Sequence, residues 1–429
     1  MADAAPSPRI VSLDQYRGYT VAGMMVVNYL GGFAVAHAVL EHHNTYFSYA
    51  DTIMPGFHFA VGFALRLVLL KRIATVGRRS AYFSIVRRGL GLILLSTVLE
   101  FASSHDRFKH WSDLVQTGVW GALAGPLKLQ FWETLAIIGV TSIWVLPVIA
   151  GSVRLRLAFL IACTGLHMLL CHLFYFDFMY ARPNWLDQYW GAPDVKGLDG
   201  GPLGFLAWTM PQLVGSFAYD CMLMGQRKIP KQELTEETEA FSSVPSVASC
   251  SFFSFFKLLI WSLILMLAGY GLSCLSMNYP RTQPPSTQED QIKVAASPVI
   301  PPTWTIVQPA EPPFVQPPAS EQRQLNYWLM NKRVVTLPFN LFSSGFSLAV
   351  YTFFVLLSDV GRVQIGLFRT LGTNALAAYV LHEIVGGAVG SLAPKDSPLW
   401  WVATTFAVYV GITYLFVRHL EKHGIFIRM

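Results

Sequence analysis

About ten stretches of this chain are apolar for 18 residues or more, and short polar segments separate them. A bilayer core of about 30 Å needs roughly 20 apolar residues for one helical crossing. Of the 429 residues, 53% are hydrophobic and 13% are charged, whereas a soluble domain carries about a quarter charged residues. The sequence therefore predicts an integral multi-pass membrane protein of the all-α class, with about ten transmembrane helices in one bundle.

The expected spans follow the apolar stretches: 18–39, 53–70, 83–103, 129–150, 154–176, 203–225, 255–277, 335–357, 364–388 and 399–418. Residues 1–225 would hold the first six helices, and residues 255–429 would hold the last four. The segment 112–126 is too short and too rich in glycine to cross a bilayer, so we expect it to be re-entrant or interfacial.

Basic residues predict the orientation. The densest cluster lies at the connection after the second span and comprises Lys71, Arg72, Arg78, Arg79, Arg87 and Arg88. Cytoplasmic loops carry an excess of Lys and Arg, so this connection should face the cytoplasm, which places both termini there. The net charge of +6 then reflects topology and not nucleic-acid binding. A lysosomal-type membrane and a bacterial inner membrane are equally compatible with the pattern.

Two polar insertions interrupt the apolar pattern. Residues 226–254 are rich in Ser and Glu and predict a cytoplasmic linker. Residues 278–325 form the outer loop before the eighth span, and eleven prolines fall within 280–320. A segment with so little apolar periodicity is expected to be extended and largely disordered.

The loop after the first span carries adjacent histidines, His42 and His43, between the carboxylates Glu41 and Asp51. Histidine is the usual general base near neutral pH, and a neighbouring carboxylate can fix its tautomer. The alternative is a solvated polar loop. The residues do not form a convincing set of metal ligands, so no metal site is predicted.

Polar residues inside the apolar spans need hydrogen-bonding partners. Asn28 lies in the apolar run of the first span, His58 in the second, and Glu100 near the outer end of the third. Asn374 and His382 are eight residues apart and thus close to one helix face. A pocket for the substrate is one interpretation of these side chains, and interhelical hydrogen bonds are the other.

Several motifs occur in an order that resembles the heparan-alpha-glucosaminide N-acetyltransferase family. They are SLDQYRGYTVAGMMVVNYLGGF, a His-containing loop, YADTIMPGFHFAVGFAL, NYWLMNKRVVTLPFNLFSSG, GTNALAAYVLHEIVG and EKHGIFIRM. The resemblance covers roughly 10–105 and 325–429, whereas the middle matches only loosely.

The resemblance implies that an acetyl group passes from cytoplasmic acetyl-CoA to an amino sugar, or another glycan, on the lumenal side. It implies a catalytic histidine in the first outer loop, either His43 or His42, assisted by Asn28. Acyl transfer needs a base for the attacking amine or hydroxyl and a donor for the developing oxyanion. His43 can supply the first and the Asn28 amide the second, with Asp51 or Glu41 orienting the imidazole.

Coenzyme A carries phosphates, which guanidinium groups bind well. Arg87 and Arg88, with Arg72 behind them, are the candidate ligands, although plain cytoplasmic topology also explains these residues. The sequence thus predicts an acetyl-CoA-dependent transmembrane acyltransferase. A transporter or lipid- or glycan-handling protein without covalent chemistry, or an inactive relative, is the alternative. The oligomeric state stays open, a homodimer included.

Overall fold

The computed structural model describes residues 10–103, 111–227, 252–281, 293–304, 308–317 and 323–427. Within these ranges the protein is all-α, and the only strand-like pairings are two isolated bridges. The linker expected over 226–254 lies almost wholly outside the described residues. The helices are α1 Val11–Leu30, α2 Ile53–Val76, α3 Arg78–Ser103, α4 Trp111–Lys128, α5 Thr134–Ile149, α6 Val153–Leu170, α7 Phe176–Met179, α8 Trp185–Trp190, α9 Gly204–Arg227, α10 Phe252–Ser273, α11 Leu337–Phe354, α12 Gly366–Thr373, α13 Ala375–Gly390 and α14 Leu399–Lys422.

Six helical segments among the described residues are long and apolar enough to cross a membrane. They are Ala50–Val76, Arg78–Glu100, Val153–Met179, Ser254–Asn278, Leu337–Val360 and Leu399–Lys422. A seventh span arises if Gly118–Trp132 and Thr134–Ile149, which meet at 81°, count as one broken crossing. The integral multi-pass prediction is confirmed, but apolar helices alone do not give ten crossings. A bend of this kind occurs in a broken crossing and in a re-entrant loop alike, so the re-entrant or interfacial character expected for 112–126 stays a prediction.

Some of the ten expected crossings are absent from these apolar helical segments, for identifiable reasons. Several polar side chains of α1 and α9 are buried in protein and lower the hydropathy of these helices; they are Ser12, Gln15, Thr20, Thr209, Gln212 and Ser216. The span expected over 364–388 is interrupted at Asn374, where the backbone leaves helical geometry (φ −126°, ψ 44°) and separates α12 from α13. Each piece is shorter than one crossing requires.

The chain divides into two compact units. The first unit contains the described residues of Met1–Ala36, Phe217–Leu263 and Gly345–Arg428; the second contains those of His37–Ser216 and Ile264–Ser344. Each unit therefore draws on both halves of the sequence, and the boundaries fall inside α9, α10 and α11.

In the first unit, α1 packs against α12 and α13, and α14 packs against α12 and α13. Glycine permits the closest of these approaches. A Cβ on Gly18 would lie 1.8 Å from the carbonyl oxygen of Phe368, and one on Gly372 would lie 1.8 Å from that of Asp14. Small residues at crossings let helix backbones come together in this way.

In the second unit, α2, α3 and α5 pack on one another. A Cβ on Gly62 of α2 would lie 1.7 Å from the carbonyl oxygen of Gln212 on α9. The guanidinium of Arg66 donates to the carbonyls of Ile149 and Gly151. The Ile149 carbonyl ends α5, and the Gly151 carbonyl lies just beyond it, so the buried arginine caps the helix.

The proline-rich segment corrects a prediction. Its described parts, 293–304 and 308–317, are packed into the second unit and not disordered: Ala295, Val299 and Ala310 are buried. Proline has no amide hydrogen, so backbone donors are scarce in this segment. Side chains donate hydrogen bonds to its carbonyl groups instead. The donors and their acceptors are Trp328 to Val299 (2.8 Å), Tyr279 to Pro298 (2.8 Å), Tyr270 to Ala310 (2.8 Å) and Arg182 to Ala295 (2.9 Å). Three of these donors, Tyr270, Trp328 and Arg182, lie outside the segment 278–325, which explains why its own composition gave a misleading signal.

Candidate functional site

Asp51 anchors the histidine loop of the second unit. It lies in a short 3₁₀ turn, Ala50–Thr52, that leads into α2, and its side chain is fully buried. Its Oδ2 accepts hydrogen bonds from the Ser48 amide (3.1 Å) and the Ser48 hydroxyl (2.9 Å). This leaves Oδ1 for another partner.

That partner is His42, whose Nδ1 lies 2.9 Å from Asp51 Oδ1. Because a carboxylate only accepts, Nδ1 carries the hydrogen, and in the neutral ring the lone pair is on Nε2. The His42 side chain is 47% exposed, while the carboxylate behind it is buried. The arrangement is an oriented imidazole of the kind that serves as a general base.

His43, the adjacent residue, has a different environment. Its Nε2 donates to the carbonyl of Ala38 (2.9 Å), and its ring stacks on Tyr46 with centroids 4.3 Å apart. These contacts fold the loop on itself. The geometry thus distinguishes His42 from His43, to which the sequence analysis assigns the base role, and it is Asp51 and not Glu41 that holds an imidazole.

A buried cation lies in the same unit. The ammonium of Lys332 is 3.0 Å from Asp199 Oδ1, and both side chains are nearly inaccessible. Burial alone would lower the pKa of Lys332, but the charges of Asp199, Asp51 and Glu133 outweigh it and raise that pKa above its ordinary value. Lys332 is therefore charged at neutral pH. Sequence reasoning did not select it, although it lies in the NYWLMNKRVV motif.

The first unit contains a cavity of about 320 Å³. Its polar and aromatic lining includes Asn28, Tyr29, His382, Glu383, Lys395 and Tyr409, and four glycines (Gly32, Gly386, Gly387 and Gly390) form part of the wall. The rings of Tyr29 and Tyr409 stack 4.9 Å apart. The Tyr29 hydroxyl is buried without a hydrogen-bond partner among the described residues, so a bound molecule would complete its bonding.

Asn28 and His382, both predicted site residues, meet at this cavity. Asn28 Nδ2 lies 3.1 Å from His382 Nε2, and His382 Nδ1 bonds the carbonyl of Tyr379. A carbonyl only accepts, so Nδ1 carries the hydrogen and Nε2 of the neutral ring accepts from the Asn28 amide. Glu383 Oε1 lies 3.2 Å from the same nitrogen. The carboxylate would stabilise the ring if Nε2 gained a proton.

The position of Asn28 corrects a second expectation. The first helix was predicted over 18–39, which put Asn28 near mid-membrane, but α1 covers Val11–Leu30. Asn28 lies in its last turn because Gly31 and Gly32 end the helix. Glycines after an apolar run are a common helix stop, and this signal was present in the sequence.

Asn374 is not in the cavity lining. It holds the C-terminal tail, since its Nδ2 donates to the Ile425 carbonyl (2.8 Å) and its Oδ1 accepts from the Ile427 amide (3.0 Å). The eight-residue spacing to His382 assumed one continuous helix. The break at Asn374 invalidates that geometric argument.

His58 and Glu100 belong to the second unit. His58 is buried on α2, and its ring stacks on Trp208 with centroids 4.7 Å apart and planes 8° apart. Glu100 is half-buried in the last turns of α3. Neither lies beside the His42–Asp51 pair in any described hydrogen bond or ion pair.

The predicted phosphate ligands occupy the α2–α3 surface. Arg72 donates to the Ser84 hydroxyl, which joins the end of α2 to the start of α3. Arg87 and Arg88 are exposed on α3. The three guanidinium groups, one on α2 and two on α3, could hold phosphates by charge, and they equally suit a cytoplasmic surface.

No protein-family model matches the chain, and no curated protein sequence matches it. The resemblance of its motifs therefore remains a prediction.

Proposed function

We propose that the chain is a transmembrane acyltransferase that moves an acetyl group from cytoplasmic acetyl-CoA to an amino sugar or another glycan acceptor on the far side of the membrane. The observation that carries the proposal is the His42–Asp51 pair, a half-exposed imidazole held through Nδ1 by a buried carboxylate. The motif resemblance supports it independently.

The reaction assigned to this pair is general-base acyl transfer. As the acceptor attacks the thioester carbonyl, His42 Nε2 takes the proton from its nitrogen or oxygen. The new carbon–nitrogen or carbon–oxygen bond forms, the carbon–sulfur bond breaks, and the coenzyme A thiolate leaves with that proton. Asp51 stabilises the imidazolium in between, a role that is worth about 10²–10⁴ in rate for such bases.

The predicted phosphate ligands keep their proposed task. Arg72, Arg87 and Arg88 would bind the phosphates of coenzyme A. The ten crossings with cytoplasmic termini also belong to the proposal, with α1, α9 and the α12–α13 pair counted as crossings shielded by protein.

The test is coenzyme A release by purified protein in proteoliposomes containing labelled acetyl-CoA and candidate amino-sugar acceptors. His42→Gln should abolish acceptor-dependent release. The control is His172→Gln, at an exposed position in the helical turn that follows α6, which should leave the release unchanged. Undiminished release by a folded His42→Gln protein would remove the proposed base.

The cavity of the first unit favours a second candidate function, which is binding or transport of a small polar solute without covalent chemistry. The unpartnered Tyr29 hydroxyl and the Glu383 and Lys395 side chains form a polar lining that needs no acyl donor. Uptake of an unmodified solute into proteoliposomes, lost in Tyr29→Phe and retained in His42→Gln, would favour this function.

A further inference from the structure

The second half of α4 lies across the direction of its neighbours α3 and α5, which pack on each other; α3 is apolar and long enough to cross a membrane. A Cβ on Gly89 of α3 would contact Ile143 of α5. One on Gly139, a turn earlier in α5, would contact Ile93, a turn later in α3, so the two helices run antiparallel. The segment Gly118–Trp132 meets α5 at 81°. Membrane-crossing helices tilt by about 20° on average from the bilayer normal, so this segment runs close to the membrane plane.

The outward side of this segment is apolar. Its exposed side chains are those of Val119, Trp120 and Leu123. Its one charged residue, Lys128, is fully buried, and its ammonium donates to Asp187 of α8 (2.6 Å). A segment that faced water would expose polar groups in place of these three side chains, because exposed apolar surface is unfavourable in water.

α8 is held against α4 by both its ends. The indole of Trp120 donates to the Trp190 carbonyl (2.8 Å), and the indole of Trp190 donates to the Ala124 carbonyl (2.9 Å). The ion pair between Lys128 and Asp187 adds a buried contact between the same two helices. We refer to the large hydrophobic side chains that the two helices expose as the α4–α8 surface; they are Val119, Trp120, Leu123, Trp185 and Tyr189.

The two aromatic residues of α8 connect this surface to a membrane span. The rings of Trp185 and Tyr189 contact each other, and Trp185 packs on Phe174 with ring centroids 4.9 Å apart. Phe174 lies in the span Val153–Met179, whose apolar window is only 17% buried in protein. The exposed side chains of that span include Leu166, Leu169 and Leu173. The α4–α8 surface therefore continues a surface that lipid covers.

We propose that the α4–α8 surface lies at the boundary between lipid headgroups and acyl chains and anchors the second unit in one leaflet. Trp and Tyr are enriched at this depth because each joins an apolar ring to one polar group. A sugar could stack on the two α8 rings, but it would leave Val119 and Leu123 in water. Lipid covers all five side chains, and this placement does not depend on the acyltransferase chemistry.

The experiment measures the depth of nitroxide labels in phosphatidylcholine liposomes. Depth follows from collisions with oxygen, which enters the bilayer, and with a water-soluble nickel chelate. The labels are attached singly at the exposed positions Val119→Cys, Leu123→Cys and Tyr189→Cys. Leu166→Cys, in the middle of the lipid-facing span, is the deep control, and Asp194→Cys, at an exposed position beyond α8, is the water control. The protein without an introduced cysteine gives the background from the native cysteines.

The three test labels should share one depth, about 10 Å shallower than Leu166→Cys, with far fewer nickel collisions than Asp194→Cys. A helix that entered the membrane steeply would separate the labels at 119 and 123 by about 6 Å in depth, and this separation would overturn the proposal. Nickel collisions as frequent as at Asp194→Cys would place the surface in water. Protection from both reagents would place it against another protein surface, such as a second copy of the chain. Either result also overturns the proposal, and two folded test variants suffice for the decision.

Discussion

Asp51 is the residue on which the geometry of the histidine loop depends, because it binds both Ser48 and His42. Asp51→Asn keeps the size of the side chain but removes the charge that stabilises an imidazolium. We expect acetyl transfer to fall by about 10²–10⁴-fold, measured as coenzyme A release. Asp194→Asn, at an exposed position of the same unit, is the matched control, and an equal loss there would point to a general charge effect.

Lys332 gives a prediction for stability against pH. Its pKa in the folded protein is above the ordinary 10.5, so its contribution to stability is fully present below about 10.5 and is lost as pH rises through the folded value. Lys332→Met should lower the melting temperature by a constant amount between pH 6 and 9, corresponding to roughly 3 kcal/mol for a broken buried pair. The difference from the native protein should narrow above pH 10.5. A difference that grows with pH would contradict the assignment.

For single residues, the sequence predicted the residue types of the candidate site better than it predicted which residues contact each other. The expectation that a carboxylate orients a loop histidine agrees with the His42–Asp51 contact. His42 and His43 differ because the ring of His43 contacts Ala38 and Tyr46. These contacts depend on the fold of the loop, which the sequence does not show. Asn28 met His382, 354 residues away, and such pairings are set by packing.

Among the helices, α2 and α9 provide a prediction. Gly62→Ala would place a methyl group 1.7 Å from the Gln212 carbonyl, where backbone must move. We expect a loss of at least 1–3 kcal/mol in stability, the usual cost of overpacking, seen as a lower melting temperature in detergent. Gly165→Ala on α6 meets nothing within 4 Å and should be neutral or slightly stabilising.

The junction of α12 and α13 provides a prediction about the C-terminal tail. Asn374→Ala removes both hydrogen bonds to the tail at Ile425 and Ile427. The tail should then become sensitive to limited proteolysis, while acetyl transfer changes little because both lost hydrogen bonds are to the tail. Equal resistance of the native and Asn374→Ala tails to protease would show that the Asn374 hydrogen bonds do not hold the tail in place.

Element boundaries were the least predictable level. Apolar runs placed most long helices, yet α1 begins and ends well before its expected limits and the 364–388 span is divided. Composition predicted disorder for the proline-rich segment, but Tyr270 and Trp328, which lie outside it, donate hydrogen bonds to its carbonyls. Composition describes what a segment can do alone and omits what its neighbours supply.

For the whole molecule, hydropathy identified the membrane class but not the number of crossings. Helices surrounded by protein, such as α1 and α9, tolerate polar residues that lipid-facing helices do not. Their contribution to the topology is testable by labelling single cysteines in a background without the native ones.

If the proposed topology holds, a membrane-impermeant maleimide added outside should label Asp194→Cys in intact cells. Arg79→Cys should be labelled only after the cytoplasmic side is made accessible. Both positions are exposed on the protein, so a difference in labelling reports sidedness. Labelling of both from outside would overturn the assigned orientation.

The two hydrogen bonds between Asn374 and the tail also constrain α14, the helix that directly precedes the tail. Removing one residue from Leu399–Lys422 would turn everything after it by about 100° and draw it back about 1.5 Å, so Ile425 and Ile427 would no longer meet the amide. The number of residues in α14 is therefore constrained more tightly than its apolar composition, and insertions or deletions there should be far less tolerated than substitutions.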